Sequence, residues 1–339
     1  MKAAIMEGIN GEIHSTNLQD PEPAEDEIVI RQKLTGICYR DLLTHDGFFP
    51  RAKFPVVPGH EVSGIVVKTG KSVKKFKVGD RVASLIYIPC GKCEYCRSGR
   101  ENLCPNKQTL GETVQGSYAE MVKVPERCLV RVPADVPEEL ATISACVTGM
   151  VYHALSVSGQ ILPGENVLVT GAGGGVGAHA VQIAKALGAN VFAYTSSKWK
   201  AEKLQELGVD HVLLSEEFDR EAKGLPGGGI DLALDTVGLP TFSRSLRSLK
   251  FGGRLVVIGN VQPVPVELPL GLIILKGNRI EGSISSTRQD MKKALELSAK
   301  GSIKPVISEK TDLDHVADAY NMMKAKKNLG RILIELKNQ

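Results

Sequence analysis

A run of glycines near the middle of the chain separates a short apolar segment from a longer segment of helical character. Val167 to Thr170 is predicted to form a buried strand, and a helix is predicted to follow the glycines and continue through Leu187. Glycines at such a turn let the backbone approach a pyrophosphate, and the helix N-terminus supplies amide donors and a favourable dipole. The predicted pyrophosphate contacts are Gly173, Gly174, Gly175, Val176 and Gly177.

The sequence beyond this turn distinguishes a nucleotide site from an ordinary tight turn. A literal G-x-G-x-x-G is not present, because aligning its last glycine with Gly177 puts Ala172 in the first position. However, further apolar runs alternate with helical segments at 191–194, 211–214, 230–234 and 254–258. Apolar runs of this kind are typical of a parallel sheet that is covered on both faces. We therefore predict an α/β, doubly wound parallel-sheet domain that binds a dinucleotide.

The end of the second strand of this domain indicates which dinucleotide is bound. A NAD site places Asp or Glu there, about 20 residues beyond the glycines, to bond the ribose 2′-hydroxyl. Residues 194–200 contain hydroxyls and two lysines but no acid, and such groups can bind a 2′-phosphate. NADP(H) is therefore the predicted cofactor, although Ser197 can cap the next helix in either case. The predicted 2′-phosphate contacts are Thr195, Ser196, Ser197 and Lys198.

The seven cysteines fall into two groups and one remaining residue. Four lie close together, and four neighbouring thiolates are typical of a closed structural zinc site: Cys90, Cys93, Cys96 and Cys104. Cys38, His60 and Cys146 are far apart in the sequence, and mixed nitrogen and sulfur ligands from distant segments are typical of an open, catalytic site. Taken singly, each would be a buried cysteine or core histidine, which is the interpretation we give to Cys128.

Composition excludes several classes of function. The formal net charge of +4 on 339 residues is small, whereas a nucleic-acid-binding surface needs a concentrated basic face. The segment from Met1 to Met6 lacks a signal-peptide core, and the longest apolar run, Leu268 to Leu275, is too short to span a membrane. We expect a cytoplasmic protein with a small-molecule substrate. In that reducing compartment clustered cysteines favour metal over disulfides.

The first 145 residues contain short β-branched runs between turn residues and predict a mostly β domain. Within them, Gly59 to Gly64, with Gly70 and Val73, fits the signature G-H-E-x2-G-x5-G-x2-V at every fixed position. The chain therefore resembles the zinc-containing medium-chain alcohol dehydrogenase superfamily. The resemblance implies a Rossmann cofactor domain at 148–285, a GroES-like catalytic domain formed by 1–147 and 286–339, and a homodimer or homotetramer.

The resemblance also assigns roles to individual residues. Cys38, His60 and Cys146 resemble the catalytic zinc ligands, Glu61 resembles the carboxylate that enters the coordination sphere when water or substrate leaves, and the four clustered cysteines resemble the structural zinc lobe. Two zinc ions per chain are thus expected. The remaining predicted cofactor contacts are Val237, Gly259 and Asn260, at strand ends on the nicotinamide side, and Arg331, which resembles an arginine near the pyrophosphate.

Three positions depart from the alcohol dehydrogenases. Arg40 stands where a relay serine or threonine is expected, and Met150 replaces a threonine near the nicotinamide. Leu43 stands where a relay histidine is expected, and His45 is a candidate to take over the role of that histidine. An arginine stays protonated and cannot act as a base, but it donates well to a carbonyl or carboxylate. The run Tyr39-Arg40-Asp41 resembles the N-Y-[RK]-D motif of enoyl and quinone reductases, in particular acryloyl-coenzyme A reductase-like members.

Three functions are compatible with these patterns. The first, which is our main prediction, is NADPH-dependent reduction of a carbonyl, or the reverse oxidation of an alcohol, at zinc held by Cys38, His60 and Cys146. The second is reduction of a 2-enoyl thioester, in which Tyr39, Arg40 or the zinc stabilises the developing enolate. The third is a cofactor-binding protein without catalytic activity. The metal ligands favour the first and the motif around Arg40 favours the second.

Removing the predicted 2′-phosphate contacts should weaken the use of NADPH and spare the use of NADH. We expect Lys198→Ala with Ser196→Ala to lower kcat/KM for NADPH by about tenfold or more, because a charge-assisted hydrogen bond contributes about 1.5 to 3 kcal/mol. Steady-state kinetics with both cofactors measure the preference. An unchanged ratio of the two kcat/KM values would show that the 2′-phosphate assignment is wrong.

Overall fold

The computed structural model describes residues 1–225 and 227–337. Two compact units divide the chain. Unit 1 comprises Met1–Gly149, Ser285–Ala299 and Ile307–Gln339, and unit 2 comprises Met150–Ile284 and Lys300–Val306. These bounds differ from the expected division at 147/148 and 285/286, and the segment Lys300–Val306, expected in the catalytic domain, belongs to unit 2.

The strands and helices follow in chain order. The strands are β1 Lys2–Met6, β2 Ile13–Asn17, β3 Glu27–Arg31, β4 Leu34–Ile37, β5 Val62–Thr69, β6 Arg81–Ser84, β7 Tyr87–Ile88, β8 Gln108–Thr109, β9 Met121–Pro125, β10 Leu129–Arg131, β11 Asn166–Val169, β12 Asn190–Tyr194, β13 His211–Leu213, β14 Ile230–Asp235, β15 Leu249–Val257, β16 Arg279–Gly282, β17 Ile307–Thr311 and β18 Arg331–Glu335. The helices are α1 Tyr39–His45, α2 Glu94–Arg97, α3 Glu138–Thr142, α4 Met150–His153, α5 Gly177–Ala186, α6 Lys198–Glu206, α7 Phe218–Gly224, α8 Leu239–Ser248, α9 Leu270–Lys276, α10 Arg288–Ala299 and α11 Val316–Lys324.

Unit 1 is built on mainly antiparallel sheets. The largest has the strand order β10-β6-β5-β3-β9, and another has the order β17-β18-β4. Ile28, Val29 and Ile30 of β3 are all fully buried, which is typical of β-branched residues in a sheet that is covered on both faces. Apolar side chains of β1, β18 and α11 pack around the buried Tyr118. The expected mostly β, GroES-like domain is confirmed.

Unit 2 contains a six-stranded parallel sheet with the order β13-β12-β11-β14-β15-β16. Relative to the first strand of the unit this is the 3-2-1-4-5-6 order of a doubly wound dinucleotide-binding sheet. The order reverses between β11 and β14, and ligands bind at the carboxyl ends of the strands at such a point. The glycine-rich turn directly follows β11. The predicted doubly wound sheet is therefore confirmed.

Two side chains of α5 explain why Lys300–Val306 belongs to unit 2. His179 Nε2 accepts from the Val306 amide at 3.1 Å, and its Nδ1 donates to the Gly175 carbonyl at 2.9 Å. The Gln182 side chain donates to the Lys304 carbonyl and accepts from its amide, at 3.1 and 2.8 Å. Burial lowers the pKa of His179 to about 4, which keeps the imidazole neutral in this arrangement.

The longest apolar run of the sequence forms α9, whose side chains are largely exposed. Ile274 and Leu275 are 76% and 80% exposed, and the neighbouring edge strand β16 is exposed along its whole length. Among the described residues, none of the helices combines the length and apolar character that crossing a membrane requires. The exposed apolar surface therefore lies at one edge of the unit 2 sheet.

Candidate active site

Distant segments of unit 1 bring the predicted catalytic metal ligands together. Cys38 is the N-cap of α1 and directly follows β4. His60 and Glu61 directly precede β5, and Cys146 lies in a π-helical turn. One ligand atom from each of these four buried residues lies within 4.8 Å of all the others. The predicted set is therefore a single cluster in the structure.

The spacing of the ligand atoms fits zinc. Zinc–sulfur and zinc–nitrogen bonds of about 2.3 and 2.1 Å at tetrahedral angles place two sulfurs about 3.8 Å apart and a sulfur and a nitrogen about 3.6 Å apart. The Cys38 and Cys146 sulfurs are 3.7 Å apart, and His60 Nε2 is 3.2 Å from the Cys146 sulfur. Two sulfurs, one imidazole and a nearby carboxylate are also ligands that zinc prefers.

Asp41 holds two of these ligands in position. One carboxylate oxygen is 3.0 Å from His60 Nδ1, so the opposite ring nitrogen, Nε2, faces the sulfurs. The other oxygen accepts from the Cys38 amide at 2.9 Å and from the Tyr118 hydroxyl at 2.7 Å. A carboxylate behind a metal-binding histidine fixes its tautomer and ring orientation. Our site prediction omitted Asp41, although its place three residues after Cys38 in the sequence is a usable signal.

The cluster is arranged to exchange protons for a cation. The hydrogen bond with Cys146 is the main reason why the pKa of Cys38 lies well below its usual value, and the same bond raises the pKa of Cys146. Burial lowers the pKa of His60, but the Asp41 carboxylate outweighs burial and raises it to about 9. A metal ion must displace these protons, so metal affinity should fall as the pH is lowered.

Glu61 and Arg331 form a buried ion pair at this cluster. The Arg331 guanidinium donates through Nη2 to Glu61 Oε1 and through Nε to Oε2 at 3.3 Å. Both side chains are almost completely buried, at 0% and 4% exposed, so neither is expected to tolerate loss of the other. We predicted Arg331 as a cofactor contact and the structure places it on Glu61. Its role at the pyrophosphate stays a prediction.

Arg40 also has a fixed partner. Its guanidinium donates to both carboxylate oxygens of Glu112, at 2.5 Å from Nε and 3.0 Å from Nη2. The guanidinium carbon lies 4.2 Å from the ring centre of Phe49, and Nη1 lies 3.5 Å from the Tyr87 hydroxyl. The bidentate pair neutralises much of the charge that was predicted to act on substrate. Glu112 and Tyr87 were missed, since nothing in the local sequence links them to Arg40.

Other residues singled out near Cys38 have their own contacts. Tyr39 packs against the hydrophobic core of unit 1, and its predicted role as a donor stays a prediction. His45 Nε2 bonds to the Gly11 carbonyl at 2.9 Å, and its role as a relay residue stays a prediction. Met150 begins α4 in unit 2.

The four clustered cysteines form the second group of potential metal ligands. Their sulfurs all lie within 4.8 Å of one another, and Cys96 is 3.4 Å from Cys93 and 3.9 Å from Cys90. Cys104 is fully buried and accepts from the Cys90 amide at 3.3 Å. Four sulfurs in one loop fit a closed structural zinc site. Cys128 is fully buried, and burial raises its pKa to about 12, which is typical of an inert thiol.

The glycine-rich turn in unit 2 has the close contacts that require glycine. A Cβ on Gly177 would overlap the Gly171 carbonyl, and one on Gly173 would overlap the Lys200 side chain. Lys200 is 6% exposed, and its amine lies 5.1 Å from the Trp199 ring centre. A lysine packed on this turn is a further candidate for binding phosphate. It was missed as a site residue, although it lies two positions after Lys198.

The other predicted cofactor residues of unit 2 lie at strand ends. Ser196 and Lys198 are exposed, whereas Thr195 is buried and its hydroxyl accepts from the Ser197 amide at 3.3 Å. Val237 and the Gly259-Asn260 turn meet, since the Val237 carbonyl accepts from the Val261 amide at 2.9 Å. Thr236 beside them donates its hydroxyl to the Thr170 carbonyl at 2.7 Å. The loops after β11, β14 and β15 are thereby joined.

Two zinc-type ligand sets on a GroES-like unit, together with a doubly wound cofactor sheet, define a zinc-containing dehydrogenase. Residues 24–134 match the model of the alcohol dehydrogenase GroES-like domain, and residues 175–300 match that of the zinc-binding dehydrogenase. The chain belongs to the zinc-containing medium-chain alcohol dehydrogenase/reductase superfamily, and it is an oxidoreductase of the alcohol dehydrogenase type.

Individual relatives match the chain over its whole length. It is 44% identical over 336 residues to an acryloyl-coenzyme A reductase of Sulfurisphaera tokodaii, covering 99% of this chain and 100% of the relative. It is 36% identical to an alcohol dehydrogenase of Geobacillus stearothermophilus, covering 99% of each chain. The crystal structure of AibC superposes with a TM-score of 0.93 at 35% identity, covering 100% of this chain and 96% of that one.

Metal analysis should give two zinc ions per chain. We expect Cys38→Ser to remove one ion and leave the lobe loaded, and Cys96→Ser to remove the other and lower Tm, because a structural site contributes directly to folding. Cys128→Ala, outside both sets, is the matched control and should retain both. Stoichiometric zinc measured by mass spectrometry tests this. One ion per wild-type chain, or a disulfide between Cys90 and Cys104, would refute the two-site assignment.

Proposed function

We propose that the protein uses NADPH to reduce the carbon–carbon double bond of a 2-enoyl thioester. When bound, NADPH would supply the hydride, and zinc on Cys38, His60 and Cys146 would polarise an oxygen. The side chains of the protein must then stabilise the negative charge that develops on the thioester oxygen and deliver a proton to the α-carbon. The name of the 44% identical relative from Sulfurisphaera tokodaii supports this substrate class.

The ion pair between Arg40 and Glu112 is the observation that carries this proposal. Oxidation of an alcohol needs a group that accepts its hydroxyl proton, and Arg40 occupies the position of that group. Since its guanidinium is bonded at both ends of the Glu112 carboxylate, it neither accepts a proton nor passes one on. The arrangement therefore favours a reaction that begins with hydride transfer to the substrate.

Reduction of a ketone or aldehyde is the second candidate. The complete ligand set of Cys38, His60 and Cys146, oriented by Asp41, favours it, because a zinc ion there would polarise a carbonyl oxygen directly. The altered relay then predicts slow oxidation of alcohols and a preference for reduction.

We also propose NADP(H) as the cofactor. Exposed Ser196 and Lys198 at the end of β12, and Lys200 against the glycine turn, support it, since these groups suit a 2′-phosphate better than a carboxylate would. Two zinc ions per chain complete the proposed cofactors. None of the seven cysteines forms a disulfide, which supports a reducing, cytoplasmic location.

Assembly into a homodimer or homotetramer is proposed from the edge of the unit 2 sheet. The exposed strand β16 and the apolar side chains of Leu270, Ile274 and Leu275 on α9 form the kind of edge that pairs with a second copy. A monomeric mass measured by light scattering at micromolar concentration would contradict this.

Substrate competition with purified, zinc-loaded protein tests the proposed reaction. We expect kcat/KM with NADPH to be at least about tenfold higher for a 2-butenoyl thioester than for a ketone or quinone, because Arg40 at the relay position does not pass on the proton that the oxygen of a reduced carbonyl takes up. Cys38→Ala should remove ketone reduction. Turnover of ketone without enoyl reduction would support the carbonyl reductase, and inactivity on every class would favour a non-catalytic protein.

A further inference from the structure

Tyr87 is a buried hydroxyl that the site prediction did not include. It forms β7 with Ile88 and pairs with Thr109 of β8, and it is 5% exposed. Its oxygen lies 3.5 Å from Nη1 of Arg40, and the guanidinium carbon lies 5.8 Å from its ring centre. Lys107 holds the ring with its amine 4.7 Å from the centre. The phenol is therefore fixed between two cations.

The predicted catalytic cluster acts electrostatically on this hydroxyl. Burial raises the pKa of Tyr87, Arg40 lowers it, and Glu112 and the sulfurs of Cys146 and Cys38 raise it further. Tyr87 also contacts the end of α1 that carries Cys38, because Arg40 follows Cys38 by two residues and its Nη1 lies 3.5 Å from the Tyr87 oxygen. The charged groups around it are thus Arg40 on α1, Glu112 and Lys107 on either side of β8, and the two sulfurs. Burial, Glu112 and the two sulfurs outweigh Arg40 and raise the pKa of Tyr87, so the hydroxyl is protonated at neutral pH, as an acid requires.

Arg40 and Tyr87 differ in their ability to donate a proton to a substrate. The guanidinium is held by Glu112 through Nε and Nη2 and does not release a proton. Its Nη1 points at the Tyr87 oxygen and can stabilise the phenolate that remains after proton transfer. The pair therefore combines a proton donor, the Tyr87 hydroxyl, with a fixed N–H hydrogen-bond donor on Arg40 behind it, which suits proton transfer in a buried site.

Building on the proposed reduction of an enoyl thioester, we propose that the Tyr87 hydroxyl is the catalytic acid that protonates the α-carbon. Hydride from the reduced nicotinamide forms a bond to the β-carbon, and the double-bond electrons move to the thioester oxygen as an enolate. The enolate α-carbon then takes the proton from the Tyr87 oxygen. The phenolate beside Arg40 is reprotonated by water. Each saturated thioester that forms therefore takes up one hydride from the nicotinamide and one proton that comes from solvent.

The test uses Tyr87→Phe, which removes the oxygen and retains the ring between Lys107 and Arg40. We expect kcat for a 2-butenoyl thioester to fall by about 100-fold or more, the contribution of a positioned acid, with KM for NADPH unchanged. Tyr95→Phe, in the structural cysteine lobe, is the matched control and should retain wild-type kcat. Zinc content and circular dichroism establish that each variant is folded.

A stereochemical readout distinguishes an acid from a merely structural residue. In deuterium oxide, with NADPH deuterated at the transferred position, wild-type enzyme should label the α-carbon from one face, and NMR of the product measures this. Tyr87→Phe should give both α-carbon configurations, because water then supplies the proton from either side. Tyr87→His should recover at least about tenfold in kcat over Tyr87→Phe, with a lower pH optimum set by an ordinary imidazole pKa of about 6.5.

The outcomes separate this inference from the function on which it rests. Wild-type enzyme that reduces the thioester, alongside a folded Tyr87→Phe with kcat within about twofold of wild type and single-face labelling, would overturn the role of Tyr87 alone. If neither Tyr87 variant folds, or if Tyr87→His is folded and no faster than Tyr87→Phe, the role as an acid is likewise rejected. Wild-type enzyme that does not reduce the thioester would overturn the proposed function and this inference together.

Discussion

The carboxylate of Asp41 is the interaction on which the candidate active site depends. It bonds to His60 and to the Cys38 amide, and through the Tyr118 hydroxyl it is anchored in the core of unit 1. One buried group thereby fixes the start of α1 relative to the residues before β5. Buried polar groups of this kind are stabilising only when fully hydrogen-bonded, and each bond to Asp41 also positions a residue of the cluster.

The residue next to Asp41 determines how this framework differs from an alcohol dehydrogenase. Arg40 lies in the same turn of α1, and its guanidinium donates hydrogen bonds to Glu112 and Tyr87. A metal ion held by these ligands would be a general electrophile, whereas the groups beside it decide which proton moves and to which atom. Identity of 44% to an acryloyl-coenzyme A reductase and 36% to an alcohol dehydrogenase agrees with a shared framework that supports more than one reaction.

Sequence patterns predicted those features that depend on local spacing. The cysteine lobe, the Gly59-His60-Glu61 triplet and the glycine turn each lie within a short segment, so their geometry follows from the backbone that carries them. Tyr87 and Glu112 are 47 and 72 residues from Arg40, and a pairing over such distances appears only once the sheets of unit 1 are assembled. The place of Lys300–Val306 in unit 2 depends on long-range contacts of the same kind, because side chains of α5 bond to its backbone.

The most direct test of the account is whether the pair of Arg40 and Glu112 sets the reaction. The variant Arg40→Thr with Glu112→Gln restores a hydroxyl at the relay position and leaves no buried carboxylate without its partner. The ratio of NADP⁺-dependent alcohol oxidation to NADPH-dependent enoyl thioester reduction should rise by at least about tenfold, as expected for regaining part of an acid–base relay. A folded, zinc-loaded variant with an unchanged ratio would contradict the central claim.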